Sequence, residues 1–93
     1  MRCYCTYILS SKSRVLYIEI TSNLERRLWE HRNDKSKFTA QYRVTRLVYY
    51  EVFEDPLSAI YREKRLKKLY RRQKIELIER ENPAWDDLAA DWF

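Results

Sequence analysis

Two short runs of strand-favouring residues open the chain. Tyr4 to Leu9 (Tyr-Cys-Thr-Tyr-Ile-Leu) is followed by a polar cluster, Ser10 to Arg14, and then by Val15 to Thr21 (Val-Leu-Tyr-Ile-Glu-Ile-Thr). The short polar spacer predicts an antiparallel hairpin, although no Asn-Gly or Asp-Gly fixes the turn type. Side chains alternate across a strand, so Leu16, Ile18 and Ile20 share one face and Val15, Tyr17, Glu19 and Thr21 the other. The first face reads as core, the second as half polar. Ser22-Asn23-Leu24-Glu25 fits a capping box, in which Ser22 and Glu25 serve the free N–H groups of a helix start. That helix is predicted to run to Arg32 or Asn33, with Leu24, Arg27, Leu28 and His31 on one stripe. Such a stripe normally faces an interior, yet Arg27 and His31 are polar.

Asp34 to Tyr42 reads as a polar, basic loop and Arg46 to Glu54 as a third strand. Asp55-Pro56 opens a second long helix, with Asp55 as N-cap and Pro56 at the first helical position. Its inward stripe is predicted to hold Leu57, Ile60, Leu66, Leu69 and Tyr70, with Glu63 among them. A further helix, Arg72 to Glu81, closes at Asn82-Pro83, and a tail with Trp85, Leu88 and Trp92 at helical spacing is predicted to fold back. The order is β-β-α-β-α-α. No repeat or linker divides the 93 residues, so we expect one small α/β domain over residues 1–93.

Composition narrows the chemistry. The chain contains no glycine, where average usage predicts about six. Glycine-rich phosphate loops and dinucleotide fingerprints need that residue's backbone freedom, which excludes a P-loop NTPase or a Rossmann enzyme. A net charge of +5 favours an anionic partner. The two cysteines, Cys3 and Cys5, cannot build a disulfide framework, and with His31 as the lone histidine they do not complete a zinc site. They are expected to be reduced, partly buried thiols. No secretory signal and no apolar run of membrane-span length is visible, so a cytoplasmic location without membrane contact is expected.

The polar residues Tyr17, Arg27, His31 and Glu63 stand where a core is expected. A buried carboxylate or guanidinium is costly unless it is paired or bound to an ion. On that ground alone, Arg27 and Glu63 pairing with each other remains an open alternative to a functional site. Likewise Tyr7 and Tyr17 read as plain strand residues, Arg26-Arg27 as a solvated face, and His31 as a helix-end residue favoured by the dipole.

Tyr-Cys-Thr-Tyr-Ile-Leu, Leu-Tyr-Ile-Glu-Ile-Thr and Asn-Leu-Glu-Arg-Arg-Leu-Trp-Glu-His, in this order and spacing, resemble the GIY-YIG nuclease domain. More closely, the chain is similar to the small stand-alone bacterial subfamily. Phe38-Thr39, Thr45 to Glu51, Ala59 to Lys64, Leu66 to Lys68 and Lys74 to Ile78 through Asn82-Pro83 extend the likeness to about Leu88. The resemblance implies a three-stranded antiparallel sheet flanked by helices, and a metal-dependent endonuclease acting on DNA. It assigns Tyr7 and Tyr17 to the two motif tyrosines, Arg27 to the helix arginine, His31 to a position filled by His or Tyr, and Glu63 to the carboxylate holding a single divalent ion, Mg²⁺ or Mn²⁺. Asn82 matches a supporting polar position. Which of Tyr7, Tyr17 or His31 is the base stays open.

The small size leaves no separate DNA-reading module, so branched, nicked or distorted DNA is the expected partner of a monomer or weak homodimer. A catalytically impaired nucleic-acid-binding module is the alternative, and a protein-interaction domain a third. The basic run through Lys64, Lys67, Lys68, Arg71 and Arg72 is a candidate phosphate-tracking surface, with Tyr61 and Tyr70 placed to stack on unpaired bases, against the plain alternative of a solvated helix face. Two departures from the family pattern stand out: the second-motif glycine is Glu19, and a loop position where relatives often carry glycine is Lys37. Glu19 is expected to line the site. There it either joins Glu63 on the metal or sets a negative charge against the substrate phosphate, and the second is the favoured expectation.

Overall fold

A computed structural model of the chain describes residues 3–34 and 38–93; Lys37 lies outside them. Strands β1 (Tyr4–Ser10) and β2 (Leu16–Thr21) form the hairpin, and helix α1 (Leu24–Asn33) follows. A short helix α2 (Phe38–Gln41), strand β3 (Arg46–Phe53) and helices α3 (Pro56–Lys68) and α4 (Arg71–Glu81) complete the order. The sheet is antiparallel with strand order β2-β1-β3, so β1 is central and β2 is an edge. Tyr7 stands opposite Glu19 on one side and Tyr50 on the other.

Alternation along β1 divides the core into two layers. Tyr7 and Leu9 meet Leu28 of α1, together with Val44, Leu47 and Ala89. Ile8 faces the other way, with Ile18 of β2, Leu66 of α3, Ile78 of α4 and Trp85 of the tail. The Thr6 hydroxyl, on that second face, donates to the Ala59 carbonyl of α3 at 2.8 Å. Helix α1 therefore covers one face of the sheet, and α3 with α4 the opposite face. The β1–β3 register shifts between Ile8 and Leu9, which pair with Tyr49 and Leu47. The bulge sends two successive residues, Val48 and Tyr49, into the α3–α4 layer.

Several expectations need correction. The N-cap of α1 is Asn23, whose side chain accepts from the Arg26 N–H, in place of Ser22. Four residues of the expected Asp34–Tyr42 loop form the helix α2. On α3, Leu57 and Ile60 point to solvent and so does Tyr70 beyond its end, while Ala59 and Leu66 are buried. The small Ala59 lets the helix backbone approach Thr6, and that contact fixes which face turns inward. The tail does fold back, with Trp85 and Ala89 buried, but Leu88 is exposed and the segment consists of turns. Cys5 is buried, Cys3 is exposed and both are free thiols. Among the described residues, no helix is long and apolar enough to cross a membrane.

Candidate active site

The strand register places Tyr7, Tyr17 and Glu19 on the face covered by α1, and α1 presents Arg27 and His31 to them. Glu19 is the hub. Its carboxylate accepts from the Tyr7 hydroxyl at 2.7 Å and the Tyr17 hydroxyl at 2.6 Å. Arg27 grips the same carboxylate with both arms of its fork, Nε at 2.7 Å and Nη2 at 3.1 Å, and sends Nη1 to Glu30 at 3.2 Å. This bidentate form is the strongest ion-pair geometry available to arginine. His31 Nε2 stands 3.6 Å from Glu19 Oε1.

Behind the hub lies a buried chain. His31 is 1 % exposed, its Nε2 lies 2.7 Å from the Tyr7 hydroxyl and its Nδ1 lies 2.7 Å from the Thr39 hydroxyl. Tyr7 has one hydroxyl proton, which goes to Glu19, so its oxygen accepts from His31 Nε2–H. Nδ1 pairs with the Thr39 hydroxyl. Donor counting thus places a proton on His31 Nε2. The rings of Tyr7 and Tyr17 both meet the imidazole edge-on, with centroids 5.9 and 5.4 Å away.

The electrostatics follow from this geometry. Burial alone would raise the Glu19 carboxyl, but donors from His31, Arg27, Tyr17 and Tyr7 outweigh it and hold the group well below the usual carboxylate range. The Arg27 guanidinium is raised in turn, by Glu19 first, against the opposing effect of burial. Burial, reinforced by the Glu19 carboxylate, pushes Tyr17 up to about 12 and Tyr7 higher still, with Arg27 opposing both. With Glu19 in place, both tyrosines keep their protons and donate them to its carboxylate, and the cluster is a cradle of donors closed around a carboxylate.

In the structure Glu19 is engaged by Arg27 and the two tyrosines. It is not joined to Glu63, and its charge is neutralised within the site. The open alternative of an Arg27–Glu63 pair is also excluded, since Arg27 binds Glu19 and Glu30. Glu63 belongs to α3, across the sheet from the cradle, and its carboxylate lies 3.5 Å from Lys67 Nζ. Its neighbour Arg62 binds Glu51 of β3. Successive helical residues are about 100° apart, so Glu63 leans to the opposite flank of α3, toward edge strand β2. Asn82 is buried, and its side chain bonds the Val48 and Asp86 carbonyls and the Asp86 N–H, which ties the tail to β3 and does not touch the cradle. Among the described residues, no three His, Cys, Asp or Glu side chains gather into a metal-binding group.

The basic residues divide by partner. Lys67 pairs with Glu63, Arg72 with Glu76 at 3.9 Å, and Arg71 donates to the Arg14 carbonyl at 2.6 Å. Lys64 and Lys68 take part in no ion pair among the described residues. Thr39 and Glu30 are site members that sequence reasoning did not single out. The signal for Glu30 was its position three residues after Arg27, and for Thr39 its place in the Phe38-Thr39 motif.

Known proteins resemble this chain in sequence and in fold. Residues 3–76 match the family model of the GIY-YIG catalytic domain. A UPF0213 protein of Clostridium perfringens is 44 % identical over 73 residues, covering 77 % of this chain and 78 % of the relative. Another, from Syntrophus aciditrophicus, is 37 % identical over 79 residues, covering 83 % of this chain and 90 % of the relative. The solution NMR structure of a UPF0213 protein from Bacillus halodurans superposes with a TM-score of 0.61 at 26 % identity, over 96 % of this chain and 97 % of the other. The two strand motifs, the helix arginine and the shared fold thus converge, and the chain belongs to the GIY-YIG family, alongside its small UPF0213 members.

Proposed function

We propose that this protein is a metal-dependent endonuclease that hydrolyses DNA phosphodiesters at the cradle, and that Glu19 keeps the cradle closed until a phosphate displaces it. One observation carries the reading: the Glu19 carboxylate is held as a phosphate would be, by a bidentate guanidinium and two hydroxyl donors. Those donors aim at an oxyanion and are fixed before it arrives, which is how transition-state charge is stabilised without reorganisation. Arg27 binds two phosphate oxygens and Tyr17 a third. Once Glu19 leaves, the Tyr7 hydroxyl, still accepting from His31 Nε2–H, is free to orient the attacking water.

Glu63 fits a single Mg²⁺ or Mn²⁺: it is one carboxylate, 16 % exposed, on the flank of α3 turned to β2, and Mg²⁺ commonly takes one or two carboxylates and keeps its waters. An ion held there would supply charge stabilisation to phosphoryl and leaving oxygens that reach it past the edge of β2. Lys64 and Lys68 track the DNA backbone, while Lys67, Arg71 and Arg72 contribute less because each has a partner in the free protein. Branched or distorted DNA is the substrate class we favour, since contacts to phosphates alone carry no sequence information.

The closed cradle also favours a second reading, a catalytically silent nucleic-acid-binding module. Incubating labelled branched DNA with the protein, in Mg²⁺ and in EDTA, separates the two. Glu19→Gly is expected to raise cleavage about tenfold to a thousandfold, equivalent to ~1.4–4 kcal/mol of barrier. Glu63→Ala should abolish it. Salt-sensitive binding with no cleavage in either the parent or Glu19→Gly would establish the silent module.

A further inference from the structure

We infer that the outward face of α3 is a docking site for unpaired nucleotides of a nucleic-acid strand, with Tyr61 as the platform on which a base stacks. The inference rests on the nucleic-acid partner proposed above, but needs neither the cradle nor a metal ion. Tyr61 is 64 % exposed, although it lies on a helix with an apolar side to share. One turn away, Leu57 is 76 % exposed. Around the ring stand Lys64, Arg65 and Lys68, which with Tyr61 and Leu69 line a shallow cavity of ≈ 370 Å³.

The spacing Tyr61, Lys64, Arg65, Lys68 is i, i+3, i+4, i+7, a single stripe that spans roughly 10 Å of helix. The three cations of this stripe form no ion pair among the described residues. The contrast along the same helix is informative, because Arg62 and Lys67 are paired with Glu51 and Glu63. Free positive charge is thus concentrated around one exposed aromatic ring. Phosphate neutralisation accounts for the cations with any nucleic acid, but a duplex keeps its bases stacked inside and offers the ring nothing. An unpaired strand supplies both a base face and phosphates, which is the pairing of aromatic platform and electropositive groove that single-strand binding uses. Charge complementarity therefore selects an unpaired strand over a second copy of this chain, which would set like charges against each other.

The test measures binding of the full chain in EDTA, so that cleavage plays no part. A fluorescein-labelled oligothymidylate of about ten nucleotides is titrated with protein and compared with a duplex of equal length. Tyr61→Ala should weaken single-strand binding about 5- to 100-fold and leave duplex binding unchanged, while Tyr61→Phe should keep the parent affinity. Replacing Lys64 and Lys68 by Gln should shallow the slope of log affinity against log salt by about 0.7 for each phosphate no longer neutralised. Equal weakening on duplex and single strand, or undiminished single-strand binding in Tyr61→Ala, would overturn the inference. So would sedimentation showing a dimer that Tyr61→Ala dissociates, since the face would then be a self-interface. The nuclease reading is judged separately, by the effect of Glu19→Gly on cleavage.

Discussion

A glycine at position 19 would leave the hydroxyls of Tyr7 and Tyr17 and the Arg27 fork aimed at an open space. Glu19 fills it with the one side-chain group that satisfies all of them. Glu19 is thus satisfied locally, without the cost of an unpaired buried charge. A pH dependence follows. Glu19 gives up its proton more readily in the folded chain than at its ordinary value of 4.5, so it contributes stability above that value and loses the contribution as pH falls toward the folded one. The thermal midpoint of Glu19→Gln should therefore lie below that of the parent at neutral pH, with the gap narrowing in acid. A gap independent of pH would show that the charge of Glu19 is immaterial to folding. Tyr17 acts in the opposite sense: its contribution is present below 10 and disappears as pH rises through about 12. At this scale the sequence was readable where a polar residue interrupted an apolar stripe, as at Arg27 and His31, or shared a strand face, as Tyr17 does with Glu19. The partners were not readable. Which donors reach Glu19, and that Thr39 closes the chain behind His31, depend on contacts between segments that periodicity does not bring together.

Among the elements, α2 shows what the absence of glycine requires. The Val44 N–H returns to the Thr39 carbonyl at 2.7 Å and the Arg43 N–H to the Ala40 carbonyl at 3.3 Å. These are the two bonds of a Schellman ending, with Arg43 at the position that is usually glycine and with φ of 55°. The Cβ of a residue there costs about 1–2 kcal/mol, partly offset by glycine's larger unfolded-state entropy. Arg43→Gly should accordingly stabilise the protein by about 0.5–1 kcal/mol in urea unfolding, and the His31 hydrogen bonds should persist because Thr39 keeps its place. A loss of stability would mean that the arginine side chain contributes more than the strain removes. Strand and helix order was legible because alternation and capping are local. The inward face of α3 was legible at Leu66 but not at Ala59, because the larger apolar Leu57 and Ile60 compete with that small residue. The hydrogen bond between Thr6 and Ala59 decides between them, and that is a tertiary fact.

Over the whole molecule, carboxylates at the sheet are neutralised from the helices that cover it. Glu19 is bound by Arg27 of α1, Glu51 by Arg62 of α3, and Glu63 by Lys67 one turn along α3. The first two pairs share a pattern, since Tyr17 donates to Glu19 and Tyr49 to Glu51 two residues further along each strand. The pairs differ in how firmly they are held. Arg27 is bidentate and only 25 % exposed, whereas Lys67 is 53 % exposed and touches Glu63 at a single point, 3.5 Å away. A half-exposed lysine–carboxylate pair is worth about 0.2–1 kcal/mol, so a divalent ion displaces it at small cost. If Glu63 is the metal carboxylate, Lys67 competes with the ion for it, and Lys67→Gln should tighten binding of Mn²⁺ about two- to fivefold. The free-ion signal in electron paramagnetic resonance reads this directly, without nucleic acid or turnover. Glu63→Gln should abolish the site in either background. Equal Mn²⁺ affinity in the parent and in Lys67→Gln, with Glu63→Gln unchanged, would place the ion elsewhere in the protein.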